Sequence, residues 1–131
     1  MNRNVYSVMH KTLLIAGALL GGLGVAIGAF GAHALRATLT QSGRIETFET
    51  AVKYQFYHAL ALLLIGILYA AFPNRSVLNA GYSMLAGVIV FSGSLYILCL
   101  TGVRWLGAVT PIGGVLMIIG WGLLLFGILR N

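Results

Sequence analysis

The feature of this sequence that most restricts its fold is a set of four long apolar segments separated by brief polar breaks. A helix needs about 20 apolar residues to cross the hydrocarbon core of a bilayer, and each segment is about that long. We therefore predict an all-α integral membrane four-helix bundle that forms one domain over residues 1–131. The predicted helices cover approximately residues 12–34, 51–72, 78–100 and 110–129.

Thr110 and Pro111 set the predicted start of the fourth helix, because threonine is a common N-cap and proline is favoured at the first helical position. At the other end of the chain, Ala32-His33-Ala34 resembles a signal-peptidase site. The apolar run before it is longer than the 7 to 15 residues usual in a signal peptide. We therefore expect the first segment to be retained as a membrane helix.

Composition argues against a soluble domain, because 60% of the residues are hydrophobic and only 8% are charged. Soluble domains carry about 25% charged residues. The net charge of +6 would suggest nucleic acid for a soluble protein, but the basic residues lie singly near the ends of the predicted helices. Such residues anchor helices at phospholipid headgroups. We predict the lipid bilayer as a partner and no nucleic acid.

The second apolar segment begins with polar and ionisable residues. Residues 59–72 alone are too short to span, so this helix should enter the membrane near Lys53. With a rise of 1.5 Å per residue, His58 then lies about 8 Å below the apolar boundary. Apolar residues at helical spacing between positions 45 and 52 predict a short interfacial amphipathic segment before the second helix.

Polar side chains from the first three helices are predicted to meet at one membrane face. They allow two interpretations. They form a ligand or ion site, since ionisable groups within a span are functional candidates, or they bond neighbouring helices and headgroups as packing. The candidate residues are His33, Arg36, Glu49, Lys53, Tyr54, Gln55, His58, Ser92, Ser94 and Tyr96.

His58 carries the most specific of these predictions. An unpaired polar nitrogen in hydrocarbon costs several kcal/mol, so the ring should face the interior and find a hydrogen-bond partner. Desolvation should also favour its neutral form. The expected partners are Tyr54, His33, Ser92, Ser94, Tyr96 or a trapped water.

Glycines recur at helical spacing in the first and fourth helices. Small residues let helix backbones approach closely, which matters in lipid because expulsion of water does not drive helices together. We predict that these two helices are tight neighbours. Alternatively, the glycine rows contact another subunit or leave room for a lipid or cofactor. The glycines are Gly17, Gly21, Gly24, Gly28 and Gly31 in the first helix and Gly113, Gly120 and Gly127 in the fourth.

Catalytic and metal chemistry find little support in the sequence. No closely spaced ligand pair such as HxxxH or CxxC occurs, so we predict no metal and no cofactor. No acid lies deep in a span, which argues against a proton-coupled antiporter. Ser92 or Ser94 could be combined with His58 and Glu49 for hydrolysis, but serine commonly serves packing in membrane helices. We predict that the protein is not an enzyme.

Four motifs, GAFGAHAL, VKYQFYHALALL, FSGSLYILCL and TPIGG, occur in this order. In order and spacing they resemble the small four-helix membrane family called domain of unknown function 423, which has YwdK-like and YgdD-like bacterial members. The resemblance covers nearly the whole chain. It implies a bacterial inner-membrane protein with no established biochemical activity, and it transfers no catalytic or binding residue.

Two functional hypotheses follow. The first is a non-enzymatic interaction or accessory protein that contacts itself, as a homo-oligomer, or a larger membrane complex. The second is a small oligomeric channel or carrier whose polar mouth lies around His33, Glu49, Lys53 and His58. Equal numbers of basic residues flank the two sides of the bundle, so the positive-inside rule does not decide orientation. The free amino terminus favours both termini in the cytoplasm.

Overall fold

The fold is entirely built from helices in the part of the chain that the computed structural model describes, residues 3–131. Four of these helices are long and apolar enough to cross a membrane, which confirms the predicted all-α membrane bundle. In chain order the helices are α1 (Arg3–Ala32), α2 (Arg36–Gln41), α3 (Ile45–Leu68), α4 (Arg75–Thr101) and α5 (Leu106–Leu129).

The amphipathic segment predicted before the second membrane helix is continuous with it. Helix α3 runs without interruption from Ile45 to Leu68, so the segment forms its first turns. Between the first and second membrane helices lies the separate short helix α2, which the sequence did not predict. After α1, the chain therefore turns back over the start of α3 before it continues as the second membrane helix.

The ends of α4 and α5 show how local chemistry sets the helix limits. The Asn74 side chain caps α4 by accepting the Val77 N–H at 3.2 Å, and Gly102, with a φ of 75°, ends it in the left-handed conformation. The predicted start of α5 at Pro111 is wrong, because Pro111 lies inside the helix. The Thr110 hydroxyl bonds the Leu106 carbonyl instead of capping a backbone N–H.

The four long helices pack mainly in a row in which α1 contacts α3, α3 contacts α4, and α4 contacts α5, with a smaller contact between α1 and α4. Helices α3 and α4 are thus the inner pair, and α1 and α5 the outer pair. In the most apolar 18-residue stretch of each helix, 44% and 39% of the residues are buried in α3 and α4, against 17% and 22% in α1 and α5. The outer helices therefore present most of their surface to the surroundings.

The glycine row of α1 faces α3, which corrects the prediction that it packs against the fourth membrane helix. A β-carbon at Gly17 would lie 2.9 Å from the Ala59 carbonyl oxygen, and one at Gly28 would lie 3.2 Å from the Val52 side chain. A β-carbon at Gly31 would overlap the Phe48 ring. The remaining glycines of this row, Gly21 and Gly24, also face α3.

The glycine row of α5 faces α4 in the same way. A β-carbon at Gly113 would lie 2.6 Å from the Gly87 carbonyl oxygen, and one at Gly120 would lie 2.9 Å from that of Ala80. Gly127 lies against Val77. Each outer helix therefore packs on the inner helix that is next to it in the chain, as short connections favour. This topology separates α1 from α5.

Candidate functional site

The structure divides the predicted polar residues into two groups. The first, here called the interhelical network, consists of side chains that bond across helices and are buried or half-buried, except Trp121, which is 48% exposed. The second, here called the interfacial cleft, lies between the end of α1, helix α2 and the start of α3. The network residues are Gln55, His58, Ser92, Ser94, Tyr96, Thr110 and Trp121.

Gln55 joins three helices at once. Its side-chain amide is buried, and Nε2 donates to the Leu20 carbonyl of α1 at 2.9 Å. Its Oε1 accepts the Tyr96 hydroxyl of α4 at 2.6 Å. These bonds use both ends of the amide, so Gln55 acts as a clamp between α1 and α4.

His58 is buried, as predicted, with 5% of its surface exposed. Its Nδ1 lies 2.9 Å from the Tyr54 carbonyl oxygen, and the Trp121 indole N–H donates to its Nε2 at 3.2 Å. An indole nitrogen can only donate, so Nε2 must accept and Nδ1 must carry the hydrogen. The contacts therefore fit a neutral histidine with its hydrogen on Nδ1.

Trp121 is the network residue that sequence reasoning missed. It lies in the middle of the most apolar segment, and the predicted site used only the first three membrane helices. Its one polar atom was the available signal, because an indole N–H inside a span needs an acceptor. The bond to His58 links α3 to α5 across the row.

Ser92 and Ser94 also serve as links between helices. Ser92 donates to the Ala51 carbonyl of α3 at 2.7 Å. Ser94 and Thr110 of α5 share a hydrogen bond of 2.6 Å between their hydroxyls. Neither serine is bonded to His58 among the residues described, so the hydrolytic arrangement considered from the sequence is not assembled.

Further links lie outside the predicted site, toward the opposite end of the bundle. The Tyr82 hydroxyl donates to the Met9 carbonyl at 2.9 Å, and Ser83 donates to the Leu116 carbonyl at 2.7 Å. Within residues 3–131, each side-chain nitrogen or oxygen that is buried has a partner. Polar side chains thus hold helices together along the whole bundle, and not only at one membrane face.

The interfacial cleft has a volume of about 200 Å³ and combines an apolar wall with a charged rim. Arg36, Glu49 and Lys53 form the rim, and all three residues are exposed. Two cations and one acid give the rim an excess of positive charge. The remaining lining residues are Gly28, Gly31, Ala32, Leu39, Ile45, Phe48 and Val52.

The residues predicted to form a channel mouth are not brought together as one group. Glu49 and Lys53 line the cleft, whereas His58 belongs to the interhelical network. His33 is exposed in the turn after α1 and does not line the cleft. Tyr54 is 40% exposed, and its ring packs 4.7 Å from that of Phe91, between ring centroids.

The cleft and the network provide no ligand set for a metal. Among the described residues, no three His, Cys, Asp or Glu side chains come close enough together to hold a metal ion. Cys99 is buried beside Leu39 and Phe48, with its Sγ 3.9 Å from the Arg44 carbonyl. The arrangement therefore offers binding by charge, hydrogen bonds and apolar contact.

Comparison with known proteins relates this chain to membrane proteins of a family of unknown function. The family described as protein of unknown function (DUF423) matches residues 27–114. A UPF0382 membrane protein of Staphylococcus aureus is 48% identical over 115 residues, which cover 88% of this chain and 93% of the relative. YwdK, a UPF0382 membrane protein of Bacillus subtilis, is 44% identical over 112 residues, which cover 85% and 90%.

These relatives are named as membrane proteins, in agreement with the four apolar spans. No solved structure matches this chain. The matched residues 27–114 include the whole interfacial cleft and most of the interhelical network.

Proposed function

The chain belongs to the DUF423 family, and from this premise we propose that it is a non-enzymatic accessory protein of the membrane that holds an amphiphilic molecule in the interfacial cleft. The amphiphile we have in mind is a phospholipid or a molecule of similar chemistry, with a charged head and an acyl chain. The proposal includes the bacterial inner membrane as the location, with both termini in the cytoplasm. It also includes self-association or assembly with a membrane complex as the way in which the bound molecule would be presented.

The observation that carries the proposal is the amphipathic lining of the cleft. Phe48 and Val52 provide apolar surface on α3, and Leu39 provides it on α2. The Arg36 and Lys53 cations at the rim of this wall are exposed, and the proposal places the headgroup beside them. A site with this division of charge and apolar surface matches a molecule that has the same division.

The glycines of α1 help to create the space. Gly28 and Gly31 line the cleft, and a β-carbon at Gly31 would already overlap the Phe48 ring. Because these positions have no side chain, α1 approaches α3 closely while the region beside α2 stays open. The chain breaks from helix at residues 33–35, and α2 then returns toward α3. Helix α2 thereby closes the cleft on the side that α1 and α3 leave open.

The interhelical network differs from the cleft in that its polar atoms already hold the helices together, which favours the cleft as the binding site. Its polar atoms are engaged: Gln55 bonds two other helices, and His58 bonds Tyr54 and Trp121. Groups that hold the fold together are poorly placed to exchange ligands. The channel hypothesis has no comparable support, because its proposed mouth residues divide between the cleft, the network and an exposed turn.

The test is to purify the full chain in a mild detergent and to identify bound lipids by native mass spectrometry. Ala32→Trp should fill the cleft without removing a charge, and we expect it to reduce the retained amphiphile about tenfold. Removing the two rim cations in Arg36→Gln/Lys53→Gln should reduce retention about 25-fold, since each cation near a headgroup contributes about 1 kcal/mol, a factor of about five.

Two control variants leave the cleft intact. Arg104→Gln removes a cation from the loop between α4 and α5, and Ala108→Trp adds bulk at an exposed position of α5. Both should retain the amphiphile as the unaltered protein does. Equal retention in Ala32→Trp and the unaltered protein would contradict the proposal. Reporter fusions to the C-terminus test orientation, and activity only outside the cytoplasm would reverse it.

A further inference from the structure

A second opening lies at the opposite end of the α1–α3 pair. This opening, here called the terminal pocket, has a volume of about 560 Å³. It is formed by the first two turns of α1 together with the connection from α3 to α4. It shares no residue with the interfacial cleft, so its chemistry can be considered separately.

The terminal pocket is basic. Arg3 of α1 and Arg75 of α4 line it from two different elements, and His10 lines it as well. No acid lines it, and the two acidic residues of the chain, Glu46 and Glu49, both lie on the first turns of α3 at the other end of that helix. Among the described residues that line the pocket, no acidic side chain therefore competes with an anionic ligand for the two guanidinium groups.

Three stacked rings form one side of the pocket. The Tyr69 ring stacks on the Tyr6 ring at 6.3 Å and on the His10 ring at 5.4 Å, measured between centroids. The His10 Nδ1 lies 3.0 Å from the Tyr6 carbonyl oxygen, so this nitrogen carries the hydrogen. The stack and this hydrogen bond fix the orientation of the His10 ring. Its other nitrogen, Nε2, is not used in that bond.

Aromatic residues near a membrane boundary often serve only as anchors in the headgroup region. Here, however, the rings lie against each other in the same opening as two arginines, which single anchors do not require. Guanidinium groups bind phosphate through two parallel hydrogen bonds, and hydroxyl groups such as that of Ser7 can donate a further one. The ring surfaces suit the glycerol and upper acyl carbons of a lipid.

We infer that the terminal pocket is a binding site for a phosphate group carried by an anionic molecule, held by Arg3 and Arg75 and flanked by the Tyr6–Tyr69–His10 stack. The phosphate belongs to an anionic lipid headgroup or to a small soluble phosphate compound. The position of the pocket at the ends of the three membrane helices α1, α3 and α4 favours the headgroup.

Native mass spectrometry on the full chain in detergent tests this inference with phosphatidylglycerol and phosphatidylcholine of identical acyl chains. We expect preferential retention of phosphatidylglycerol. Arg75→Gln should reduce that retention about tenfold and Arg3→Gln/Arg75→Gln further, since each substitution removes charge-assisted hydrogen bonds to the phosphate as well as a cation. Competition with millimolar inorganic phosphate distinguishes the sources: displacement that depends on Arg75 identifies a soluble phosphate, and no displacement identifies the headgroup.

Arg130→Gln is the matched control, because Arg130 is a cation near the same end of the bundle that does not line the pocket. It should change retention clearly less than Arg75→Gln does, because Arg130 acts only through the general surface potential and has no part in the hydrogen bonds to phosphate assigned to the pocket. The inference is overturned if the double variant binds phosphatidylglycerol and inorganic phosphate as the unaltered protein does. It is also overturned if Arg130→Gln causes the same loss as Arg75→Gln.

Discussion

The inner and outer helices of the row contribute to the same interfaces in different ways. Side chains of α3 and α4, and the cap residue of α4, donate four hydrogen bonds to the outer helices α1 and α5, which accept them through backbone carbonyls and approach closely through glycines. Trp121 of α5, which donates to His58 of α3, is an exception. The donors are Gln55, Asn74, Tyr82 and Ser83. The acceptors are the carbonyls of Leu20, Gly127, Met9 and Leu116.

This difference shows how an apolar helix can be positioned without polar side chains of its own. Lipid tails are as apolar as leucine, so burial does not drive helices together within the membrane. Close backbone approach supplies van der Waals contact, and each hydrogen bond between helices adds about 0.6 kcal/mol on average. The glycine contacts should therefore matter more to stability than any one hydrogen bond.

The largest expected effect comes from adding a side chain to the interface between α4 and α5. A β-carbon at Gly113 would overlap the Phe91 backbone nitrogen and lie 2.6 Å from the Gly87 carbonyl oxygen. Backbone atoms cannot rotate away, so Gly113→Leu should lower the free energy of unfolding by about 3 kcal/mol or prevent assembly of α5. Unfolding of the purified protein in detergent measures this loss.

Gly122→Leu is the matched control for that experiment, because no atom outside the local helix backbone lies within 4 Å of a β-carbon at Gly122. We expect no loss of stability from it. Equal destabilisation by the two variants would mean that helix conformation, and not the contact with α4, explains the glycine row.

A smaller effect is expected at the interface between α1 and α3. A β-carbon at Gly17 would lie 2.9 Å from the Ala59 carbonyl oxygen but also 2.9 Å from the Leu63 side chain, which can move. Gly17→Ala should therefore cost about 1 to 2 kcal/mol. Gly22→Ala, where nothing lies within 4 Å, serves as its control and should cost nothing. If Gly17→Ala lowered the free energy of unfolding more than Gly113→Leu does, the ranking of the two interfaces would be reversed.

Removing the clamp at Gln55 should come next in size. Gln55→Leu keeps the volume of the side chain but leaves the Tyr96 hydroxyl without its partner, at a cost of about 1 to 1.5 kcal/mol. Tyr96→Phe in the same background should restore part of that loss, because the unpaired hydroxyl is then absent. If the stability changes of Gln55→Leu and Tyr96→Phe, measured by thermal unfolding, simply add in the double variant, the hydrogen bond between Gln55 and Tyr96 contributes nothing.

The smallest effect is expected at the bond between α3 and α5. Trp121→Phe removes the N–H donor to His58 and should cost about 0.5 kcal/mol. Nitrogen-15 NMR of labelled histidine offers a more specific readout. In the unaltered protein His58 should be neutral with its hydrogen on Nδ1, and in Trp121→Phe the Nε2 shift should change. A charged His58 at neutral pH in the unaltered protein would contradict the assigned bond.

The number and type of the membrane helices could be predicted because bilayer thickness fixes the length of an apolar span. The helix against which each glycine row packs could not be predicted, because the spacing of Gly17 and Gly24 marks a face of α1 without identifying the helix that covers it. Chain connectivity decides this, since α1 and α5 each pack on their neighbour along the sequence.

For the polar residues, too, burial could be predicted from the sequence, whereas the bonding partners could not. Burial of His58 followed from its depth in the span, but its bond to Trp121 depended on how α3 and α5 face each other. The interfacial cleft could not be predicted as a volume, because it depends on α2 returning over α3. Arg36, Glu49 and Lys53 were identified as polar candidates, whereas the apolar wall that makes the cleft amphipathic was identified only as a helix face.

Photo-crosslinking of the full chain with a phospholipid that carries a reactive group on its acyl chain, followed by mapping of the modified peptides, tests whether lipid occupies the interfacial cleft. We predict that crosslinks concentrate within residues 28–53, around the cleft, and that Ala32→Trp removes them while crosslinks elsewhere persist. Crosslinks spread evenly over the exposed faces of α1 and α5, and unchanged by Ala32→Trp, would show that lipid only surrounds the protein and does not occupy the cleft.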